Sequence, residues 1–443
     1  MVERIKAVSG ANFALMVLFA INLLNFLDRQ LLGSLGEPIR KEFHLSDTAL
    51  GLLTTVFVIL YALVGLPLGR LSDTWRRTRL IAASVAVWSV LTAATGLAQN
   101  YTQIIITRLG VGLGEASCAP AGQSLIGDFF PPERRTFAMG VFMLGLPMGV
   151  FAAYASAGLI ATHFGWRAVF YVAGIPGLMF ALLALRIREP ARGGLEERFS
   201  MAAVPTSGVA AVLSLPTMWW IILSGIFHTF NMFAINYFNM PLLQRYHHMS
   251  LGAAGTASSI AVGAVGAVGL LAGGLVADRM SAKRRNARLV LAALCMTLAA
   301  PCLFFAINQP PGAIAAYLVL MAVATMTMYV YYATVYAAIQ DVVEPRLRGI
   351  AVAIYFCCMY IFGAALGPVV TGMLSDHFAQ HSMLAAGAVE MSEAYKATGL
   401  HDAMYVTPVL AAAAALVLFA ASRTLAKDAR KRHIMPSLVP EAG

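Results

Sequence analysis

Charged side chains inside apolar segments are the residues of this sequence that are best placed to do chemistry. Asp28 and Arg29 lie in the first long apolar segment, and Arg108 and Glu115 lie in the fourth. Charge at membrane depth is costly and is usually kept where it faces a partner or a water-filled path. An arginine can hold an anion through its planar guanidinium, whereas a carboxylate shielded from water favours its neutral form unless a cation lies beside it. Together these residues predict a site that binds an anion and exchanges protons.

Helical geometry brings the four residues towards one another. Arg108 and Glu115 are seven residues apart, which places them on one helical face, about 10 Å from each other. Counted from the ends of their segments, Asp28, Arg29 and Arg108 fall at similar depths, so we expect them to meet in the outer half of the membrane, with Glu115 near its middle. Static ion pairs that only fix helix packing are the alternative interpretation.

The elements that carry these residues are membrane helices. The chain has 443 residues, of which 59% are hydrophobic and 12% are charged, against roughly a quarter charged in an average soluble domain. Twelve apolar stretches reach the length of about 20 residues that a membrane helix needs. The sequence therefore predicts an all-α integral membrane protein with twelve transmembrane helices in two six-helix bundles. The expected boundaries are 1–187 and 216–425 for the bundles, 188–215 for a cytoplasmic linker and 426–443 for a cytoplasmic tail.

The net charge of +10 is a topology signal, because the basic residues are unevenly distributed along the chain. Most of the 31 lysines and arginines lie in segments that share a side with both termini. Cytoplasmic loops of membrane proteins carry such an excess. We therefore expect both termini to lie in the cytoplasm, and we expect no nucleic-acid partner.

The two halves of the chain echo each other. Residues 128–135 read D-F-F-P-P-E-R-R and residues 341–348 read D-V-V-E-P-R-L-R, an offset of 213. A second echo pairs the stretch from Gly69 to Asp73 with the stretch from Gly274 to Asp278, each just before a basic run. Parallel repeats of six helices are a transporter architecture. The sequence thus indicates a duplicated six-helix unit.

The loop at 69–77, which reads G-R-L-S-D-T-W-R-R, resembles the cytoplasmic loop motif G-x-L-x-D-R-x-G-R of the major facilitator superfamily. Thr74 and Arg76 depart from that motif. The resemblance covers nearly the whole chain and implies that such loops latch the two bundles when the cavity faces outward. The cytoplasmic gate residues that it implies, with their counterparts in the second half, are Asp73, Arg77, Asp128, Arg135, Asp278, Asp341 and Arg348.

A closer resemblance lies in the fourth span. Residues 108–117 read R-L-G-V-G-L-G-E-A-S, and they accompany Asp28-Arg29 in the first span and R-E-P-A-R-G at 188–193. This combination is similar to the spinster-like family of lysolipid and sphingosine-phosphate transporters and their bacterial relatives. The family implies an amphipathic, lipid-like substrate. The similarity to its bacterial members implies that the chain lies in the inner membrane of a bacterial cell.

Other residues carry less chemistry. His228, Asn231 and Tyr332 could line a cavity in the second half, and packing is the alternative for each. No lysine follows a glycine, so a phosphate-binding loop for ATP is absent. The pair His247-His248 has no cysteine or carboxylate at metal-ligand spacing, so we expect no metal site. Ser117 lacks the G-x-S-x-G setting of hydrolases, so we expect no enzymatic activity.

The sequence as a whole favours a secondary active transporter that moves a lysolipid-like substrate by alternating access, as a monomer. Protons are the expected coupling ion, and no other cofactor is expected. A proton-coupled carrier of a small organic anion or drug-like compound is the first alternative. A membrane sensor or scaffold that transports nothing is the alternative from another class.

Overall fold

The computed structural model describes residues 10–191, 208–281, 284, 286–343 and 347–434, and every regular element in these ranges is helical. Twelve helices cross the molecule and are numbered here in chain order. They are α1 Ala11–Ser34, α2 Asp47–Thr74, α3 Arg77–Thr95, α4 Tyr101–Glu115 with Cys118–Phe129, α5 Pro132–Met143 with Gly145–Ser156 and Ala157–Ala161, α6 within Thr162–Leu185, α7 Pro216–Arg245, α8 Leu251–Ser258 with Ser259–Ala264 and Val265–Ser281, α9 Ala287–Ile307, α10 Ile314–Val342, α11 Arg348–Cys358 with Met359–Ala364 and Leu366–Ala385, and α12 Val406–Ile434. Three shorter helices, Gly36–Phe43, Gly208–Leu213 and Glu393–Ala403, connect them.

Ten segments of the described chain are long and apolar enough to span a bilayer. One of them, Phe137–Leu185, contains two crossings, and the divided helix α4, which is not among the ten, is the twelfth. Phe137–Leu185 has 49 residues and would be about 74 Å long as one helix. Gly165 turns the chain inside it, with φ 78° and ψ 165°, so this segment contains parts of both α5 and α6. The fourth span, α4, is divided after Glu115, because Pro120 lacks an N–H and its ring clashes with the carbonyl of Ala116.

The helices pack as two equivalent bundles. In the first half α1 packs against α5, α2 against α4, and α3 against α6. In the second half α7 packs against α11, α8 against α10, and α9 against α12. Each pair recurs with its helix numbers raised by six, so the predicted fold of two six-helix bundles is confirmed.

The bundles meet along two seams, α2 with α11 and α5 with α8. Glycines permit close approach there: a Cβ at Gly51 would lie 2.5 Å from the Pro368 oxygen, and a Cβ at Gly255 would lie 2.7 Å from the Gly158 Cα. Both contacts lie in the half of the molecule opposite the chain termini. We call that side the far end, and the side at which α1 begins and α12 ends the termini end.

The connections between the bundles differ in part from the expected boundaries. Residues 188–191 and 208–215 of the expected linker are described, whereas 1–9, 192–207 and 435–443 lie outside the described residues. Helix α12 continues to Ile434 instead of ending at 425. Its extension is held in place because the Asp428 carboxylate accepts hydrogen bonds from the Thr217 N–H at 2.9 Å and hydroxyl at 2.6 Å, at the start of α7.

Candidate functional site: a central cavity and its charged pairs

A cavity of about 600 Å³ lies between the two bundles. Residues of α1, α2, α4, α5, α7, α8, α10 and α11 line it, and it extends from Gln30 near the far end to Gly349 at the termini end. Gln30 donates a hydrogen bond to the Asn236 carbonyl, as does the hydroxyl of Tyr154. These contacts between α1, α5 and α7 close the cavity towards the far end. Among the described residues that line it, Arg29 is the one with a formal charge.

Arg29 is paired with Glu115. Its Nε lies 2.8 Å from the Glu115 Oε2, and the guanidinium carbon lies 4.2 Å from the centre of the Tyr61 ring. Glu115 is completely buried, and its Oε1 has no hydrogen-bond partner among the described residues. Arg29 therefore presents positive charge to the cavity from one side and is neutralised by a buried carboxylate from the other.

Asp28 and Arg108 form a second, looser pair behind the first. Arg108 Nη2 lies 3.6 Å from Asp28 Oδ1, beyond hydrogen-bonding distance. The Thr92 hydroxyl donates to Asp28 Oδ2 at 2.8 Å, and Arg108 donates to the Thr95 hydroxyl at 3.2 Å. Both charged residues are buried and neither lines the cavity. The structure thus brings all four charged residues together. Arg29 pairs with Glu115, whereas Asp28 lies beside Arg108.

Glycines of α4 make this arrangement possible. A Cβ at Gly112 would lie 3.0 Å from the Phe57 oxygen of α2, and a Cβ at Gly114 would lie 2.9 Å from the Trp88 Cβ of α3. These glycines are therefore occupied by helix packing, which is common for small residues in membrane proteins. Because α4 packs closely against α2 and α3, Glu115 lies within reach of Arg29.

The three cavity candidates of the second half are placed differently. Tyr332 lines the cavity. His228 lies behind it, with its ring stacked 3.9 Å from that of Tyr331 and edge-on at 5.0 Å to that of Tyr332. Asn231 turns towards α12, where its amide donates to the Thr407 carbonyl at 2.8 Å. Neither His228 nor Asn231 is among the lining residues.

Charged residues at the termini end form equivalent pairs within each bundle. Arg77 Nη1 lies 2.5 Å from Asp128 Oδ2, and Arg288 Nη1 lies 2.5 Å from Asp341 Oδ2. Each pair joins the first turn of α3 or α9 to the end of α4 or α10. Arg288, which also lies 3.5 Å from the exposed Asp278, was missed in the sequence because it is one of several arginines in a basic run.

The remaining gate candidates are less completely placed. Arg135 donates to the Gly127 carbonyl at 2.7 Å, Arg348 is half-buried at the start of α11, and the side chain of Asp73 lies outside the described residues. Glu189 was not singled out, yet it accepts hydrogen bonds from the Arg77 N–H and guanidinium. Burial alone would raise the pKa of Glu189, but hydrogen bonds from Arg77 and Thr78 hold it below its usual value.

The far end is held by an ion network that the sequence did not reveal. Arg245 at the end of α7 lies 2.6 Å from Glu37 and makes two contacts of 2.8 Å with Asp47, which belong to the other bundle. Arg40 contacts Glu37 and also Glu393 of the second half. We call Arg245, Glu37, Asp47 and Arg40 the far-end lock. Burial would raise the pKa of Glu37, but hydrogen bonds and charges of Arg40 and Arg245 lower it to about 2.

A second contact reinforces the same closure. The Asp376 carboxylate of α11 accepts hydrogen bonds from the backbone N–H groups of Asp47 and Thr48 at 3.0 and 2.9 Å, at the start of α2. Anions are favoured at a helix N-terminus, where the backbone N–H groups are unpaired. The far end is therefore closed by charged contacts that cross between the bundles.

Comparison with known proteins supports a common architecture. The family model of the Major Facilitator Superfamily matches residues 18–368. An MFS-type efflux pump of Mycolicibacterium smegmatis is 31% identical, over 81% of this chain and 83% of the pump. The hexuronate transporter of Bacillus subtilis is 27% identical, over 84% of this chain and 90% of the transporter.

A solved structure matches over almost the full length. It is that of a bacterial homologue of the human lysosomal transporter Spinster, in an inward-facing and unoccupied conformation. It superposes with a TM-score of 0.84 at 27% identity, and the match covers 96% of this chain and 99% of that protein.

Proposed function

Because this chain belongs to the Major Facilitator Superfamily and is spinster-like, we propose that it is a proton-coupled carrier of an amphipathic anion. The observation that carries the proposal is Arg29, which faces a cavity whose other described lining residues are uncharged, while Glu115 neutralises it from behind. A planar guanidinium is well suited to bind a carboxylate or a phosphate. The aromatic and aliphatic residues of the same cavity suit an apolar tail.

Proton coupling follows from the shared arginine. When a substrate anion binds Arg29, Glu115 loses its cation and becomes an uncompensated charge in a buried site, which favours its protonated form. One proton taken up by Glu115 for each bound anion keeps the charge of the site unchanged. Asp28 is the second proton site in this proposal, because its Oδ1 has no hydrogen-bond partner in the described part of the chain and Arg108 lies 3.6 Å away.

We further propose that the termini end faces the cytoplasm of a bacterial cell, with the chain in the inner membrane and acting as a monomer. The concentration of arginine and lysine at the termini end supports this orientation. In this orientation the far end, which faces away from the cytoplasm, is closed by the far-end lock, and the cavity extends towards the cytoplasm. The similarity to a protein solved facing inward agrees with that orientation.

Two substrate classes fit an anion with an apolar part, a lysolipid and a small organic acid. The lysolipid is preferred, since the cavity is long and its apolar and aromatic residues extend towards the termini end, including Phe142, Met143 and Phe356. The small organic acid remains a second candidate because the hexuronate transporter of Bacillus subtilis is a relative over most of this chain.

Binding of alkyl phosphates to the protein in lipid nanodiscs tests both anion binding at Arg29 and proton uptake by Glu115. We expect affinity to rise as pH falls, because a proton is taken up with the anion, and Glu115→Gln to abolish this pH dependence. Arg29→Met should abolish binding. Glu42→Gln is the matched control, because Glu42 is paired with Arg167 away from the cavity. A wild-type pH response in both Asp28→Asn and Glu115→Gln would contradict proton coupling through these carboxylates.

Chain length distinguishes the two substrate classes. Each buried CH₂ contributes up to about 0.8 kcal/mol, or roughly fourfold in affinity. For a lysolipid carrier we expect affinity to increase steadily with alkyl length at a constant phosphate head group. Equal affinity along the series, with effective competition by hexuronate, would favour the organic-acid carrier.

A further inference from the structure

Some polar atoms of the residues that line the cavity have no hydrogen-bond partner among the described residues. They include the amide nitrogen of Asn25, the hydroxyl of Thr229 and the hydroxyl of Tyr329. These side chains are almost fully buried, with relative exposures of 4%, 2% and 0%. A buried polar atom without a partner is costly, and such atoms are few in folded proteins. Their position beside a ligand cavity offers an explanation.

Two of these residues, Tyr329 and Thr229, differ from buried residues of the same type elsewhere in the described chain. Other fully buried tyrosines each have a hydrogen-bonded hydroxyl, namely Tyr154, Tyr237, Tyr317, Tyr331 and Tyr355. The buried threonines Thr325, Thr334 and Thr371 donate to a carbonyl four residues earlier in their own helix. Tyr329 and Thr229 have neither kind of partner.

The three residues lie at one depth. At 1.5 Å per residue, Asn25, Thr229 and Tyr329 are each about 20 Å from the termini end of α1, α7 and α10 respectively. Arg29 lies about one helical turn beyond Asn25 on α1. The unpaired groups therefore lie at similar depth in both bundles, and their residues line the same cavity as Arg29. We call Asn25, Thr229 and Tyr329 the polar layer.

We propose that the polar layer binds uncharged hydroxyl or amide groups of the substrate, next to the anion that Arg29 holds. This inference rests on the proposed function and narrows its substrate class to anions that carry hydroxyl or amide groups beside the charged group. An amide donor and two hydroxyls can pair with neutral groups of either polarity. No aspartate or glutamate is found among the described lining residues, so an ammonium group has no carboxylate partner there. A plain alkyl anion would leave the layer unpaired.

Paired probes test the proposal directly. Binding of dodecyl glycerol phosphate and of its deoxy analogue, in which propanediol replaces glycerol, is measured with the protein in nanodiscs, since these two differ only in the glycerol hydroxyl. Hexanoate and gluconate form a second pair without a long chain. We expect the hydroxyl-bearing member of at least one pair to bind at least tenfold more tightly, which corresponds to about 1.4 kcal/mol.

Variants assign the preference to the layer. Thr229→Val and Tyr329→Phe should each reduce the preference to less than threefold, whereas Thr229→Ser should retain it. Thr334→Val is the matched control, because its buried hydroxyl is already bonded to the Val330 carbonyl. Saturable binding of the hydroxyl-free probe, at whatever affinity, shows that each variant is folded.

The outcomes separate this inference from the proposed function. Equal binding of both members of each pair by the wild type, still dependent on Arg29, would overturn the polar layer and leave the carrier intact. A hydroxyl preference that survives both Thr229→Val and Tyr329→Phe would overturn it as well. If the wild-type protein bound none of the anionic probes, the proposed function itself would be refuted.

Discussion

The far-end lock makes a quantitative prediction. In Arg245→Met, the Asp47 carboxylate loses both of its 2.8 Å contacts with the guanidinium while the far end is closed. The side chains of Arg245 and Asp47 are only 3% and 4% exposed, and removing one partner of a buried ion pair costs about 3–5 kcal/mol. Opening of the far end would return the carboxylate to water and relieve that cost. The substitution should therefore favour the open far end.

The expected size lies at the lower end of that range. Asp47 retains a 2.7 Å hydrogen bond from the Ser375 hydroxyl, and Glu37 retains its contact with Arg40. A cost of about 3 kcal/mol changes the ratio of closed to open far ends roughly 100-fold, since each 1.4 kcal/mol is a factor of ten. Such a change converts a minor open population into a readily detected one.

Spin labels at Lys41 and His381, introduced after serine replacement of the native cysteines, report this change. Both positions are exposed and lie at the far end of different bundles. Double electron–electron resonance should show a longer distance in Arg245→Met. Arg167→Met is the control, because Arg167 pairs with Glu42 within the first half at 35% and 40% exposure, and exposed pairs contribute little. An unchanged distance distribution in Arg245→Met would refute the assignment of a lock.

Further predictions concern both gates. The pKa of Glu37 in the closed state is lowered to about 2. Its contribution to the stability of the far-end lock is therefore fully present above the ordinary carboxyl pKa, and it is lost only as pH falls towards 2. We therefore expect the Lys41–His381 distance to stay constant from neutral pH down to about pH 4. Asp73→Asn should shift the population towards the state open at the termini end, which labels at the end of α2 and at the start of α11, both at the termini end, would detect. Gly51→Val should hold the far end open, because a Cβ there would lie 2.5 Å from the Pro368 oxygen, and accessibility of far-end cysteines to a membrane-impermeant reagent measures this.

Sequence reasoning located the charged centre but not its pairing. Helix length and residue count place Asp28, Arg29, Arg108 and Glu115 within reach of one another. The choice of partner depends on how α1 and α4 are rotated about their axes, and the rotation of α4 is set by glycine contacts such as that of Gly112 with Phe57 of α2. A one-dimensional count of depth contains no information on that rotation. Arg29 therefore could not be assigned to Glu115 before the structure.

The far-end lock was missed for a different reason. Arg245 lies at the end of an apolar span, where a basic residue is commonly an interfacial anchor. Its partners Glu37 and Asp47 are about 200 residues away and lie in a short helix and at a helix start. No local spacing connects them. The repeat, in contrast, was visible because Asp128 and Asp341 lie within matching local sequences.

The distribution of charged contacts explains how such a protein could alternate. Carriers of this kind need two states of similar free energy, because a ligand shifts an equilibrium only by its differential affinity for the two states. In this structure the contacts of Arg245 and Asp376 cross between the bundles at the far end. At the termini end, the pairs of Arg77 and Arg288 stay within their own bundles. Opening the far end breaks these contacts between the bundles. The state that is open at the far end therefore needs new contacts between the bundles at the termini end to offset that loss. The repeated acidic and basic residues there are the groups available to form them.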